Sequence, residues 1–342
     1  MENCTACEGG VYCSSAGLTA PTGNCSARSY CISNAIVRNP LDGVTGNVCP
    51  IGHYCPVGTG PSPLPCEPGT FVAITAQEAC FPCTAGHYCV DGINEVDCPQ
   101  GFYCPTGTGT VWQSCPPGTY GSNVGFSVES QCTTCPGGQY CGTTNLTTPS
   151  GPCDPGYFCE SGSDSATPSN ATGGVAGPCP VGHYCESGTQ TPTPCPMGTF
   201  SNQTLLTSAA ECFNCTPGYF CDTTGLTEPV GLCNEGFFCL GGASSASPPV
   251  VDSTGGPCPV GKYCGNGTSV PPDCPAGTFQ TIEQQSTCDP CPAGYYCLAG
   301  SSLNLDCPAG EYCLRLENDA FLTIKHIYVV FKMLRVLKFT CK

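Results

Sequence analysis

The chain has 342 residues, 36 of them Cys, 45 Gly and 35 Pro, with 25 Asp+Glu against 9 Lys+Arg. So much cysteine beside so much Gly and Pro excludes one large apolar core and points to a disulfide scaffold. The net charge of −16 argues against nucleic acid as a partner, because phosphate contacts need clustered Lys and Arg.

The opening residues, MENCTACEGG, contain neither a basic n-region nor an apolar h-region, so the true start is expected upstream of Met1. Residues 1–65 carry seven cysteines, an odd number that closed disulfide modules do not allow. The odd one is Cys4, whose partner is likewise expected before Met1. The chain therefore reads as a fragment of a longer array, beginning with an incomplete cysteine-rich repeat at 1–65.

From Cys7 onward one pattern recurs 17 times: Cys, two residues, Gly, one residue, then Tyr or Phe. Copies include CPIGHYC from Cys49, CPVGHYC from Cys179 and CPAGYYC from Cys291. Glycine is replaced once, by Arg28, and Pro follows the cysteine in 10 copies. Cys-Pro-x-Gly reads as a β-turn with Pro second and Gly fourth. The aromatic is expected to be a miniature core packed on a neighbouring disulfide, rather than a binding face.

In 13 copies a second Cys follows the aromatic directly, giving C-x5-C. The other four start at Cys66, Cys115, Cys195 and Cys274, place Thr before the aromatic, and lead after 13 or 16 residues into a C-x2-C. Cutting at these four gives repeats at 66–114, 115–194 and 195–273 and a partial one at 274–313, with 6, 8, 8 and 6 cysteines. Every count is even, as closed modules require. Two Ser/Thr/Pro/Gly-rich spacers, 161–178 and 241–257, are expected to be exposed flaps or linkers with too little apolar surface to order. Closure across each hairpin predicts Cys66–Cys80, Cys115–Cys132, Cys195–Cys212 and Cys274–Cys288. A run such as Cys83, Cys89, Cys98 and Cys104 leaves three pairings open. The interleaved one (Cys83–Cys98, Cys89–Cys104) is favoured over closing each C-x5-C on itself.

This alternation of CPxGTF, C-x2-C, CPxGYYC and CPxGHYC over residues 1–313 resembles the ephrin-receptor-like cysteine-rich repeats, also called GCC2/GCC3 repeats. It is similar in layout to growth-factor-receptor and TNF-receptor cysteine modules. The resemblance implies a place in a large multidomain cell-surface or secreted protein, and it brings no kinase, ligand-binding or catalytic motif. The extra C-x5-C pairs and the long spacers depart from the simplest repeats, so the family's disulfide pattern does not carry over directly.

Rival chemistries find little support. Zinc would need paired C-x2-C steps at ribbon spacing, whereas successive copies here stand 76, 52, 80 and 76 residues apart. His53, His87 and His183 lie in GHYC, but the same slot elsewhere holds Phe102, Gln139 or Lys262, so no ligand is required there. A thioredoxin-like redox pair would need a βαβ context, and nucleophilic catalysis a free thiolate or Ser beside a positioned base. Calcium would need a D-x-D-x-D-G loop. None of these patterns is present in the sequence, and the expectation is a non-enzyme with no cofactor and no metal.

Seven N-x-S/T sequons occur. Asn145, Asn170, Asn202 and Asn266 are the glycosylation candidates, with Asn170 the leading one; Asn3, Asn24 and Asn214 have Cys in the middle position and are weaker. Trp112 and Phe126 lie outside the repeated aromatic slots and are candidates for an exposed contact. Residues 314–342 differ from the rest: they hold six of the nine basic residues and neither Gly nor Pro. Lys325, Lys332, Arg335 and Lys338 interrupt this stretch, so it is too broken for a transmembrane helix. It reads either as an end that does not belong to the repeats or as a basic amphipathic helix at a membrane surface. Membrane attachment is otherwise expected only through parts outside this sequence.

The expected fold is small disulfide-rich repeats: an extended rod of cysteine-rich modules with short β-hairpins, little helix and no large core. The expected function is that of a non-catalytic extracellular or cell-surface receptor or adhesion ectodomain holding a protein ligand. The alternative is a structural spacer or extracellular-matrix component without a specific ligand.

Overall fold

The computed structural model describes residues 4–169, 176–309, 313–315 and 321–323. Among these residues the regular structure consists of two-stranded sheets with two short 3-10 turns, Glu129–Gln131 and Ala209–Glu211, and no α-helix. The class is small disulfide-rich repeats of short β-hairpins.

Among the fully described motifs each builds one hairpin, reduced to a single bridge between Lys262 and Asp273 in the motif from Cys258. In the motif from Cys49, His53–Tyr54 pairs antiparallel with Leu64–Pro65, the two residues before the next motif's cysteine, in the register His53↔Pro65 and Tyr54↔Leu64. The Pro50 carbonyl accepts the His53 N–H at 3.3 Å, and Gly52 between them has φ +74°. A positive φ at the third position is the type II arrangement that favours glycine. The turn therefore runs Pro-x-Gly-x, one residue later than the Cys-Pro-x-Gly register expected from the sequence. Proline after the cysteine has no N–H to satisfy; in three motifs with another residue there the N–H reaches a distant carbonyl, Ser26 to Arg38, Asp154 to Ala166 and Asn234 to Ala246, at 2.8–3.0 Å.

Successive motifs are joined by a backbone ladder. The Gly69 N–H donates to the Cys89 carbonyl at 2.9 Å, and the Cys83 N–H returns to the Gly69 carbonyl at 2.9 Å. The chain forms two compact units, one of residues 1–154, 158–177 and 188–191, the other of 155–157, 178–187 and 192–342. The forward bond, from the motif's third position to the next motif's sixth, repeats within the first unit from Gly10 to Gly138. It repeats within the second from Gly156 to Gly277, always at 2.7–3.1 Å. The ladder crosses Cys66 and Cys115 just as it crosses the other motif starts. It also explains the glycine: a Cβ placed on Gly118 would lie 2.6 Å from the Gly162 carbonyl oxygen. Arg28, the one substitute, adopts φ +75° all the same.

The core is sulfur. Every described C-x5-C closes on itself, with Cα–Cα distances of 5.7–6.3 Å. The interleaved pairing is thereby overturned: Cys83 bonds Cys89 and Cys98 bonds Cys104. The reason is the glycine turn, which folds the chain back within six residues to the separation a disulfide needs. The four long closures join Cys66 to Cys80, Cys115 to Cys132, Cys195 to Cys212 and Cys274 to Cys288. In those motifs Val72, Gly121, Ser201 and Gln280 occupy the buried place that the second cysteine holds elsewhere.

The aromatic slot packs on neighbouring cystines, as expected: Tyr12 against Cys25 and Cys31, Tyr184 against Cys195 and Cys212, Phe220 against Cys233 and Cys239. Among the described copies Phe238 is buried and the other rings are half-buried. A two-residue strand has only one partner strand, so one ring face stays at the surface. One further expectation is corrected: the spacers are not loose flaps. In 241–257, Ala243 is fully buried and the Leu240 N–H donates to the Thr254 carbonyl at 2.9 Å. In the described part of 161–178, Ser163 and Ala176 are buried. The segment after Cys25 does the same with Ala35, so small side chains tucked against a cystine replace the apolar bulk that ordering usually needs. Of the tail, Cys313–Arg315 and Phe321–Thr323 pair antiparallel, extended where an amphipathic helix was considered. The rest of 314–342 lies outside the described residues.

Candidate functional surface

The fold brings one aromatic group to the surface. Trp112, three residues before Cys115, packs at a tilt against Tyr88, an aromatic-slot residue, with ring centroids 5.0 Å apart, and lies edge-on at 5.4 Å to Phe102. Trp112 retains 36% of its exposure, and Val96 and Val111 beside these rings are exposed. Phe126, the other candidate, is half-buried and its carbonyl accepts the Cys104 N–H at 2.8 Å. Its place in the ladder gives it a structural task. A second ring contact, Phe200–Phe213 at 5.9 Å, borders a shallow groove of about 480 Å³ that includes Leu206, Ala210 and Phe213.

Charges gather at the hairpins. His87 faces Asp97 across one pair of strands, Nε2 to carboxylate 3.1 Å, while its Nδ1 lies 3.1 Å from Thr84 Oγ1. Lys262 meets Asp273 in the equivalent bridge at 2.6 Å. Both pairs are exposed, where such contacts contribute little. Sequence reading missed them because the partner stands 10 or 11 residues away; the hairpin register is the signal that finds them. His53 and His183 each direct Nδ1 to a backbone oxygen two residues back, at 3.0 Å. The histidines are thus turn residues that the structure does not bring together.

Several carboxylates are held by backbone donors. The Asn94 and Ile93 N–H groups, with the Asn94 amide, pull Asp91 down to about 2. The Thr45 hydroxyl followed by the Val44 N–H lowers Asp42, and the Thr254 hydroxyl and N–H lower Asp252. Partial desolvation, then Glu129 at 3.4 Å, raises Tyr103. The Asp91, Asp42 and Asp252 contacts fix loops in the way that Asx turns do.

Only one His/Cys/Asp/Glu grouping among the described residues has metal-like spacing, Cys83, Cys89 and Glu95. Its sulfurs are bonded to each other, so no thiolate is available to a metal. The cysteines of the four C-x2-C steps from Cys80 onward are likewise committed, for example Cys80 to Cys66 and Cys83 to Cys89. Cys4 is the one free cysteine among the described residues.

The described sequon asparagines are all exposed: Asn24, Asn145, Asn202, Asn214 and Asn266. Asn3 and Asn170 lie outside the described residues. Among the described residues no helix is long and apolar enough to cross a membrane. No protein-family model matches the chain, and no curated protein matches it.

Proposed function

We propose that this chain is a non-catalytic extracellular cysteine-rich region, part of a cell-surface receptor or adhesion ectodomain, that holds a protein ligand. The resemblance to ephrin-receptor-like repeats belongs to the same reading. The observation that carries it is the pairing of cysteines: at least sixteen disulfides among the described residues, with most of their cysteines buried. Disulfides at this density persist in oxidising compartments and are rare where glutathione keeps thiols reduced. The ligand side of the reading is supported by the Trp112 group, since exposed aromatic clusters are enriched where proteins meet.

The test is binding of the fluorescently labelled, disulfide-bonded chain to intact cells, compared with Trp112→Ala. Saturable binding weakened about tenfold or more by Trp112→Ala, a hot-spot effect of at least 1.4 kcal/mol, supports the reading. Equal binding by both forms removes Trp112 from the contact. No saturable binding by either form favours a structural spacer, a reading that the unbroken backbone ladder within each unit already makes mechanically sound.

A further inference from the structure

The geometry points to Asn145 and Asn202 as N-glycan acceptors, with Asn24 and Asn214 left bare. This rests on the extracellular reading, because only a chain entering the secretory route meets the donor. In the transfer, the asparagine carboxamide nitrogen bonds to the anomeric carbon of a lipid-pyrophosphate-linked oligosaccharide. The anomeric C–O bond breaks, the lipid pyrophosphate leaves with the electron pair, and the amide loses one proton.

The sequence sets Asn24 and Asn214 apart only by the Cys in their middle position and ranks Asn266 with Asn145 and Asn202; the fold separates them by what each segment already does. Asn145 is exposed at a corner of the motif from Cys135, with φ +56°. Its backbone N–H donates to the Cys115 carbonyl at 3.1 Å, leaving the side chain outside the ladder. Thr147, the hydroxyl residue of that sequon, is exposed too. Asn202 follows the buried Ser201 and is exposed together with Thr204. In both sequons carboxamide and hydroxyl face solvent after the disulfides have closed, and a glycan there displaces no contact.

The other described sequons, at Asn24, Asn214 and Asn266, are engaged. Asn24 pairs with Val11 and Asn214 with Thr199 in hairpins, and each precedes a fully buried cystine, at Cys25 and Cys215. Threading such a segment through an acceptor site competes with hairpin and disulfide closure. Asn266 accepts the Glu235 N–H on Oδ1 at 3.0 Å, and Thr268 gives its hydroxyl to the Gly265 carbonyl at 2.8 Å. Its sequon already carries a structural task.

The experiment uses the full chain secreted from eukaryotic cells behind an added leader. Glycans are released enzymatically in oxygen-18 water, so that each occupied Asn becomes a heavy-labelled Asp in peptide mass spectra. Label is expected at Asn145 and Asn202. Thr147→Ala and Thr204→Ala, which keep each Asn and its backbone, are expected to remove one label each without changing disulfide maps. Bare Asn145 and Asn202 in a fully disulfide-bonded chain, or label on Asn24 and Asn214 in their stead, overturns the assignment alone. Widespread alkylatable thiols in the secreted chain would overturn the extracellular reading and the assignment with it.

Discussion

Ser201 fills, in the motif that begins at Cys195, the place that Cys221 fills in the next one. Each stands six residues after its motif's first cysteine, each is fully buried, and each donates its N–H to a later loop, Ser201 to Leu226 and Cys221 to Ala243. The difference decides connectivity: Cys215 closes on Cys221, whereas Cys195 reaches Cys212. Ser201→Cys is therefore expected to divert Cys195 to residue 201 and release Cys212 as a free thiol. Non-reducing peptide mapping with alkylation reads this directly. A retained Cys195–Cys212 bond would show that local spacing does not govern pairing.

The two kinds of closure should differ in what they contribute. Loop entropy grows with the logarithm of loop length, so removing Cys49–Cys55, which spans six residues, should destabilise by about 2 kcal/mol. Removing Cys115–Cys132, which spans 17, should cost about 3 kcal/mol. Paired Cys→Ala variants compared by denaturant unfolding supply the numbers. The reverse order would place the stabilisation in native packing rather than in the unfolded chain.

How far the sequence reaches follows from these same residues. The aromatic-glycine turn and the absence of a second cysteine after Phe71, Tyr120, Phe200 and Phe279 are visible in the letters, and with them the hairpin class and the long closures. The choice between self-closed and interleaved C-x5-C is not visible, because parity and spacing satisfy both. It depends on a glycine φ that brings Cys83 and Cys89 to 5.9 Å. The ladder from Gly69 to Cys89 is equally silent in sequence, since backbone donors have no side-chain signature. Composition misjudged the spacers for a related reason: Ala243 and Ala35 order their loops by fitting against cystine, a contact that apolar area does not measure. Of the candidate surface, Trp112 is legible as an aromatic out of register, but its tilted contact with Tyr88 needs the hairpin register.

A second left-handed corner recurs about ten residues into each motif. Glycine holds it at Gly107, Gly125 and Gly225, but Ala76 and Leu205 hold it with φ +59° and +68°. Side chains there carry about 1–2 kcal/mol of steric cost, partly offset by glycine's larger entropy in the unfolded chain. Ala76→Gly and Leu205→Gly are expected to raise stability by about 0.5–1 kcal/mol. Gly118→Ala should do the opposite and more strongly, since its Cβ meets the Gly162 carbonyl. Thermal unfolding of the three variants checks both signs.

Ser163 places a hydroxyl in a buried position without a hydrogen-bond partner. The corresponding places after Cys25 and Cys233 hold Ala35 and Ala243, both fully buried. Leaving such a hydroxyl unpaired costs about 1–3 kcal/mol. Ser163→Ala is expected to recover about 1 kcal/mol of it, read as a raised denaturation midpoint with unchanged slope. A lowered midpoint would mean that the hydroxyl has a role in holding the loop.

Asp91 gives the clearest pH dependence. Its folded value, about 2, lies below the ordinary 3.8 because the Asn94 and Ile93 N–H groups bind the charged form. A depressed folded pKa stabilises the native state above the unfolded value and loses that contribution as pH falls. The turn at 91–94 should therefore be fully held above about pH 4 and loosen progressively down to about pH 2. Amide chemical shifts of Ile93 and Asn94 should titrate with a midpoint near pH 2 in the wild type. Asp91→Asn keeps an oxygen acceptor without the charge, so those amides should become insensitive to pH there. Titration of Ile93 and Asn94 near pH 4 in the wild type would show that the carboxylate is free of its backbone donors.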